Sequence, residues 1–195
     1  PSAFRCAVHR CPATPVFAVA TASDTCDPSV TPSFTDVTTP GSCAGSYSVT
    51  RTWTATDACG NAAIPVSQTI NVIDNTAPVI GALPAPSTIA CPATPVFAVA
   101  TATDTCDPSV TPAFTDVTTP GSCAGNYSVT RTWTATDACG NVSAPVSQTI
   151  NVVDNTAPVI AALPAPSTIA CPATPVFAVA TATDACDPSV TPTFS

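Results

Sequence analysis

No Lys, no Glu and no Met occur in this sequence, and His occurs once, at His9. Only 8% of its residues are charged and 6% are aromatic. Each shortage excludes something. A tandem body without His, Lys or Glu cannot build a Ser–His or Cys–His pair, so no enzyme is expected and no catalytic residue is assigned. Four arginines (Arg5, Arg10, Arg51 and Arg131) against twelve Asp leave a net charge of -8, which offers nothing to neutralise phosphates and excludes nucleic acid as a partner. No apolar run approaches the ~18 residues of a membrane helix, so no membrane span is expected. Close Cys-x-x-Cys pairs are also missing, which disfavours zinc. The chain starts at Pro1 with neither Met nor a signal peptide, and is expected to be a piece of a longer mature protein.

What is abundant is Cys, with 11 residues, and Pro, with 23. Regularly spaced cysteines without reactive neighbours point to disulfides and to an oxidising, extracellular or cell-surface location. Acids that are all Asp suit a hard cation such as calcium.

The sequence is periodic. Cys11, Cys91 and Cys171 open the same phrase, CPATPVFAVATA, and 91 − 11 and 171 − 91 both give 80. Residues 11–90 and 91–170 differ at eight positions only: Ser23/Thr103, Ser33/Ala113, Ser46/Asn126, Ala62/Val142, Ala63/Ser143, Ile64/Ala144, Ile73/Val153 and Gly81/Ala161. Such a period fits a small β-sandwich domain. The expected organisation is a divergent segment 1–10, a first repeat 11–76 lacking a normal first strand, a second repeat 77–156 and a partial third repeat 157–195. Cys6, in the divergent segment, is the odd cysteine: a thiol for cross-linking to another chain, or part of a loose terminus.

Each repeat is organised around YSVTRTWTATDACGN, at Tyr47–Asn61 and again at Tyr127–Asn141. Tyr127, Val129, Arg131 and Trp133 alternate with Ser128, Thr130, Thr132 and Thr134, so a strand is expected with Trp on one face and a ladder of hydroxyls on the other. The Arg131 stem is expected to pack along Trp133, with its guanidinium reaching the rim in a cation–π contact. Val96–Asp104, Val110–Thr119 and Val146–Asp154 read as further strands, and the Pro-rich Ala77–Cys91 as a broken edge strand. No segment has helical periodicity with caps. The fold class is all-β: tandem immunoglobulin-like β-sandwich domains with disulfides, as beads on a string.

In a sandwich, the phrases ending in Cys106 and Cys139 arrive at one pole, and Cys91 and Cys123 lie at the other. At ~3.3 Å per residue the strands separate the poles by tens of ångströms, whereas a disulfide needs Cα atoms within ~7 Å. The expected pairs are Cys11–Cys43, Cys26–Cys59, Cys91–Cys123 and Cys106–Cys139. Sequential pairing is the rival; it would also let Cys171 and Cys186 satisfy each other.

The phrases TRTWTATDACGN, TATDTCD and VVDNTAPVI resemble the hyalin-repeat (HYR-like) immunoglobulin-type modules of very large secreted or surface proteins of bacteria, across both repeats and the third fragment. The resemblance implies an extracellular, non-catalytic stalk or adhesion module. The linker phrase also resembles the calcium-binding junctions of cadherins. The sandwich brings Asp74 and Asn75 toward Asp104, Asp107 and Asp137 of the next repeat, where calcium is one reading and turn capping the other. Asn126 and Asn141 satisfy the N-glycosylation pattern, and the Thr/Ser/Pro composition suits O-glycans. The functional expectation is the shaft of a surface adhesin or fibre, with neighbouring repeats or copies of itself as partners. The alternative is a carbohydrate- or protein-binding module. Near-identity of the turns between repeats favours the shaft.

Overall fold

A computed structural model describes residues 7–194, and of residues 7–10 the backbone alone; Cys6 lies outside this range. The described chain is all strand, turn and loop, with no helix.

The first repeat forms β1 (Ala7–Arg10), β2 (Ser33–Pro40), β3 (Tyr47–Thr54) and β4 (Val66–Ile73), in sheet order β1-β4-β3-β2. The second begins with β5 (Val79–Ile80), β6 (Ser87–Ala90) and β7 (Ala102–Thr103), then β8 (Pro112–Pro120), β9 (Tyr127–Ala135) and β10 (Val146–Val153). Its main sheet runs β6-β10-β9-β8, while β5 pairs with β7. The third fragment repeats only that short pairing, with β11 (Val159–Ile160) against β12 (Ala182–Thr183).

Segment 7–10, unlike the repeats in sequence, nevertheless supplies a strand. Ala7 pairs with Ile70 in parallel, as Ser87 pairs with Ile150 one period later. Parallel edge pairing uses backbone groups, so AVHR can stand where the repeat has STIA.

The central strand behaves as its alternation requires. Register pairs Phe34 with Trp53, Asp36 with Arg51 and Val49 with Ile70, all on one face. There Trp53, Ile70 and Val72 are buried. On the opposite face the hydroxyls pair across strands, Thr50 with Thr69 at 2.9 Å and Thr52 with Ser67 at 2.8 Å. The second repeat matches it with Thr130–Thr149 at 2.9 Å and Thr132–Ser147 at 2.8 Å.

The guanidinium does reach a cation–π contact, and its rings are phenylalanines: Arg51 Cζ lies 4.4 Å from the Phe17 ring centroid and 3.8 Å from that of Phe34. Its Nε and Nη2 donate to the two oxygens of Asp36, each at 2.7 Å. Arg131 does the same with Phe97, Phe114 and Asp116. A planar fork held flat between rings by a cross-strand carboxylate suits guanidinium geometry.

Val96–Asp104 is a second departure, because only Ala102–Thr103 is strand. The β5–β7 ladder ends at the bond from Gly81 N to Thr101 O, 2.8 Å. Beyond it β5 leads into Pro84 and Pro86, which have no N–H to offer, so residues 96–100 find no ladder partner. Val96 and Val99 stay exposed, and Phe97 secures the segment through Arg131.

The chain divides into two compact units. One takes in the first repeat through Ala82 together with Ala100–Ala113 and Trp133–Pro145; the other comprises Leu83–Val99, Phe114–Thr132 and the chain from Val146 onward. The leading pole of the second repeat thus belongs to the same unit as the first repeat.

Candidate functional site: the turns at the repeat junction

Two turns build the leading pole of each repeat. In the second repeat, Asp104 Oδ1 accepts from Cys106 N and Asp107 N at 2.8 and 2.9 Å. Asp107 Oδ1 accepts from Ser109 N at 2.9 Å, and its Oδ2 reaches across to accept from Ala138 N at 2.9 Å. In the other turn Asp137 Oδ1 accepts from Cys139 N and Asn141 N, and Oδ2 from Asn141 Nδ2 at 2.7 Å. Gly140 supplies the φ of 88° that closes this turn. Burial pushes the Asp137 carboxyl up, but the hydrogen bonds from Asn141, Cys139 and Gly140 outweigh it and leave it below the usual carboxylate range. Asx chemistry of this kind makes the turns rigid.

These turns present cysteines to the preceding repeat. Cys106 bonds to Cys11 and Cys139 to Cys43, with Cα–Cα distances of 6.0 and 5.1 Å and sequence separations of 95 and 96. Cys91 bonds to Cys186, again at a separation of 95. The expected pairs Cys11–Cys43, Cys91–Cys123 and Cys106–Cys139 are therefore replaced by bridges between repeats, and Cys26 and Cys59 are free rather than joined. The reason is topological. Cys11 N donates to Ile73 O, at the end where β4 leaves for the next repeat, and Cys43 sits in the loop before β3 at that same end. Both trailing-pole cysteines thus meet the leading pole of the following repeat, at Cα distances that suit a disulfide.

The approach is close. A Cβ on Gly45, whose φ is 75°, would lie 2.6 Å from Cys106 Cβ, and on Gly125 it would lie 2.7 Å from Cys186 Cβ. Cys106, Asp107 and Asp137 are buried, while of their first-repeat counterparts Cys26 is exposed and Asp27 and Asp57 are half-buried. Polar contacts support the bridge: Asp74 N donates to Ser46 Oγ at 3.0 Å, and Asn141 Nδ2 to Asp74 O at 3.4 Å.

Of the residues expected to surround calcium, the fold brings Asp74 and Asp104 together: their ligand oxygens and Cys106 Sγ lie within 4.8 Å of one another. Asp107 and Asp137 spend their oxygens on the turns instead, and Asn75 lies exposed in the linker outside this cluster. Asp154 and Asp184 form the same arrangement one period on; adding 80 to Asp74 and Asp104 was the available signal. The close-approach glycines carried no such signal, since a glycine in a Cys-Ala-Gly loop reads as an ordinary turn. The two Asn residues are engaged as well. Asn126 Oδ1 accepts from Asp154 N, and the Nδ2 of Asn141, the atom a glycan would occupy, donates into the turn.

No curated protein matches the chain, and no helix among the described residues is long and apolar enough to cross a membrane. The model of the HYR-like domain with 4 cysteines matches residues 8–72 and 79–152, more than half of the chain. Each matched segment carries four cysteines, Cys11, Cys26, Cys43 and Cys59 in one and Cys91, Cys106, Cys123 and Cys139 in the other. With two immunoglobulin-like repeats joined through four of those cysteines, Cys11–Cys106 and Cys43–Cys139, the chain belongs to the HYR-like domain family.

Proposed function

We propose that this chain is part of the non-catalytic shaft of an extracellular adhesin or fibre, in which each repeat is covalently braced to the next. The observation that carries this reading is the constant register of the bridges, 95 or 96 residues, which exceeds one repeat. A disulfide inside a domain stabilises that domain; one that reaches into the next domain also removes freedom from the junction. Neighbouring repeats are accordingly the partners of the trailing and leading poles, and an oxidising extracellular setting keeps the bridges closed. A family of non-enzymatic repeats, with turns kept nearly letter for letter, supports a mechanical role.

Single-molecule stretching of the full chain, with and without reductant, tests this. The expected result is a short contour-length release under oxidising conditions, because chain between bridged cysteines cannot extend, and a much longer release after reduction. Equal release in both conditions would remove the braced shaft.

A further inference from the structure

Among the described side chains, none brings a counter-charge to the carboxylates at the junction. Asp74 is 7% exposed, its Oδ1 accepts from Thr76 N at 3.0 Å, and its Oδ2 is buried without a hydrogen-bond partner. Asp104 is its mirror: Oδ1 is taken by Cys106 N and Asp107 N, and Oδ2 is buried without a partner. Cys106 Sγ, the third atom of the cluster, is committed to Cys11 and forms a wall rather than a ligand. A buried carboxylate oxygen without a partner is costly, and a cation held between two such oxygens removes that cost at both. The arginines with described side chains do not supply it, since Arg51 binds Asp36 and Arg131 binds Asp116.

We propose that Asp74 and Asp104 hold a calcium ion at the first junction, and that Asp154 and Asp184 hold a second one a period later. Only oxygens are on offer, which selects a hard cation over zinc. A cleft of about 190 Å³ lined by Thr76, Ala77, Val79, Thr103, Asp104 and Thr105 opens beside the pair, with room for the waters and hydroxyls that complete a calcium shell. The same six positions, each advanced by 80, line the cleft at Asp184. There Asp154 Oδ1 accepts from Thr156 N and Thr156 Oγ1, and Asp184 Oδ1 from Cys186 N and Asp187 N. The two carboxylates, both half-buried, again bring oxygens within 4.8 Å of each other and of Cys186 Sγ. With two carboxylates per site, affinity belongs in the range of extracellular modules, on the order of 10⁻⁴–10⁻³ M. The proposal stands independently of the shaft reading, since a junction ion would bind whatever the repeats do mechanically.

Calcium titration of the oxidised full chain, by calorimetry and by thermal melting, is the test. The expected result is two sites per chain and a higher melting temperature in calcium than in chelator. Asp104→Asn keeps a carbonyl oxygen for the turn but removes the charge, so it should lose one site, and the double variant with Asp184→Asn should lose both. In chelator, Asp104→Asn should melt above the parent because a repulsion is gone, and in calcium below it. Failure to bind calcium at about ten times the upper affinity value, or binding that survives in the double variant, would overturn the proposal. So would an Asp104→Asn variant that melts below the parent in both conditions, since that is what a merely structural carboxylate predicts.

Discussion

Gly45 and Cys106, which belong to successive repeats, stand so close that a side chain on the first would place its Cβ 2.6 Å from the Cβ of the second. The glycine also sits at a φ of 75°. Gly45→Ala therefore carries both a strained backbone and a clash with the bridge, together on the order of 1–3 kcal/mol. Gly60, with a φ of 90° and nothing within 4 Å of a Cβ, separates the two effects. Gly60→Ala should lose only the backbone part, about 1 kcal/mol. Chemical denaturation of both variants under oxidising conditions checks this; equal losses would mean that the approach of Cys106 does not matter.

Four described cysteines are free: Cys26, Cys59, Cys123 and Cys171. They are those for which a register of 95 or 96 finds no partner within 195 residues. Alkylation of the native oxidised chain followed by peptide mass analysis should mark these four and spare Cys11, Cys43, Cys91, Cys106, Cys139 and Cys186. A linked peptide joining Cys26 to Cys59 would restore bridging within a repeat.

Asp107 ties the two turns of its pole together, as Asp27 does through Ala58 N at 3.1 Å. Only Asp107 is covered by a neighbouring repeat. Asp107→Ala leaves the N–H groups of Ser109 and Ala138 without their acceptor at a buried site, a loss of about 1–3 kcal/mol. Asp27→Ala exposes the equivalent donors to water and should cost clearly less. Melting temperatures of the pair decide the matter, and a larger loss for Asp27→Ala would contradict burial of the second pole.

Several carboxyls titrate low in the folded chain. The Arg51 and Arg131 guanidiniums hold Asp36 and Asp116 below the ordinary 3.8, and bonds from Ser29 and then Ala58 do so for Asp27. Bonds from Asn61 lower Asp57 in the same way. A carboxyl depressed by folding stabilises the fold above its unfolded value, and that stabilisation is lost as the pH falls through the folded value. Melting temperature should be level from neutrality to about pH 4 and fall below it. Arg51→Gln and Arg131→Gln together should make that acid decline shallower; a decline beginning well above pH 5 would point to other groups.

The strands with strict period-two alternation were legible, since Val49, Arg51 and Trp53 had to share a face and Thr50 and Thr52 the other. Residues 96–100 were not. Their β-propensity is high, but a strand exists only where a ladder partner does, and Pro84 and Pro86 remove it. For the candidate site, the acids were legible as a group; which of them face one another was not, because Asp107 and Asp137 read the same as Asp104 until their turns are folded.

By itself the sequence determined an 80-residue period, an all-β repeat with its Trp face and hydroxyl face, and a cysteine framework suited to oxidising surroundings. It could not determine the bridges. In a periodic chain Cys26 and Cys106 occupy the same place in their repeats, so spacing cannot tell a partner within a repeat from one in the next. Fifteen residues of chain separate Cys11 from Cys26 and carry them to opposite poles, whereas the next repeat brings Cys106 back to within 6.0 Å of Cys11. Only the folded pole of a second repeat could supply that partner, and with it the facing carboxylates of Asp74 and Asp104.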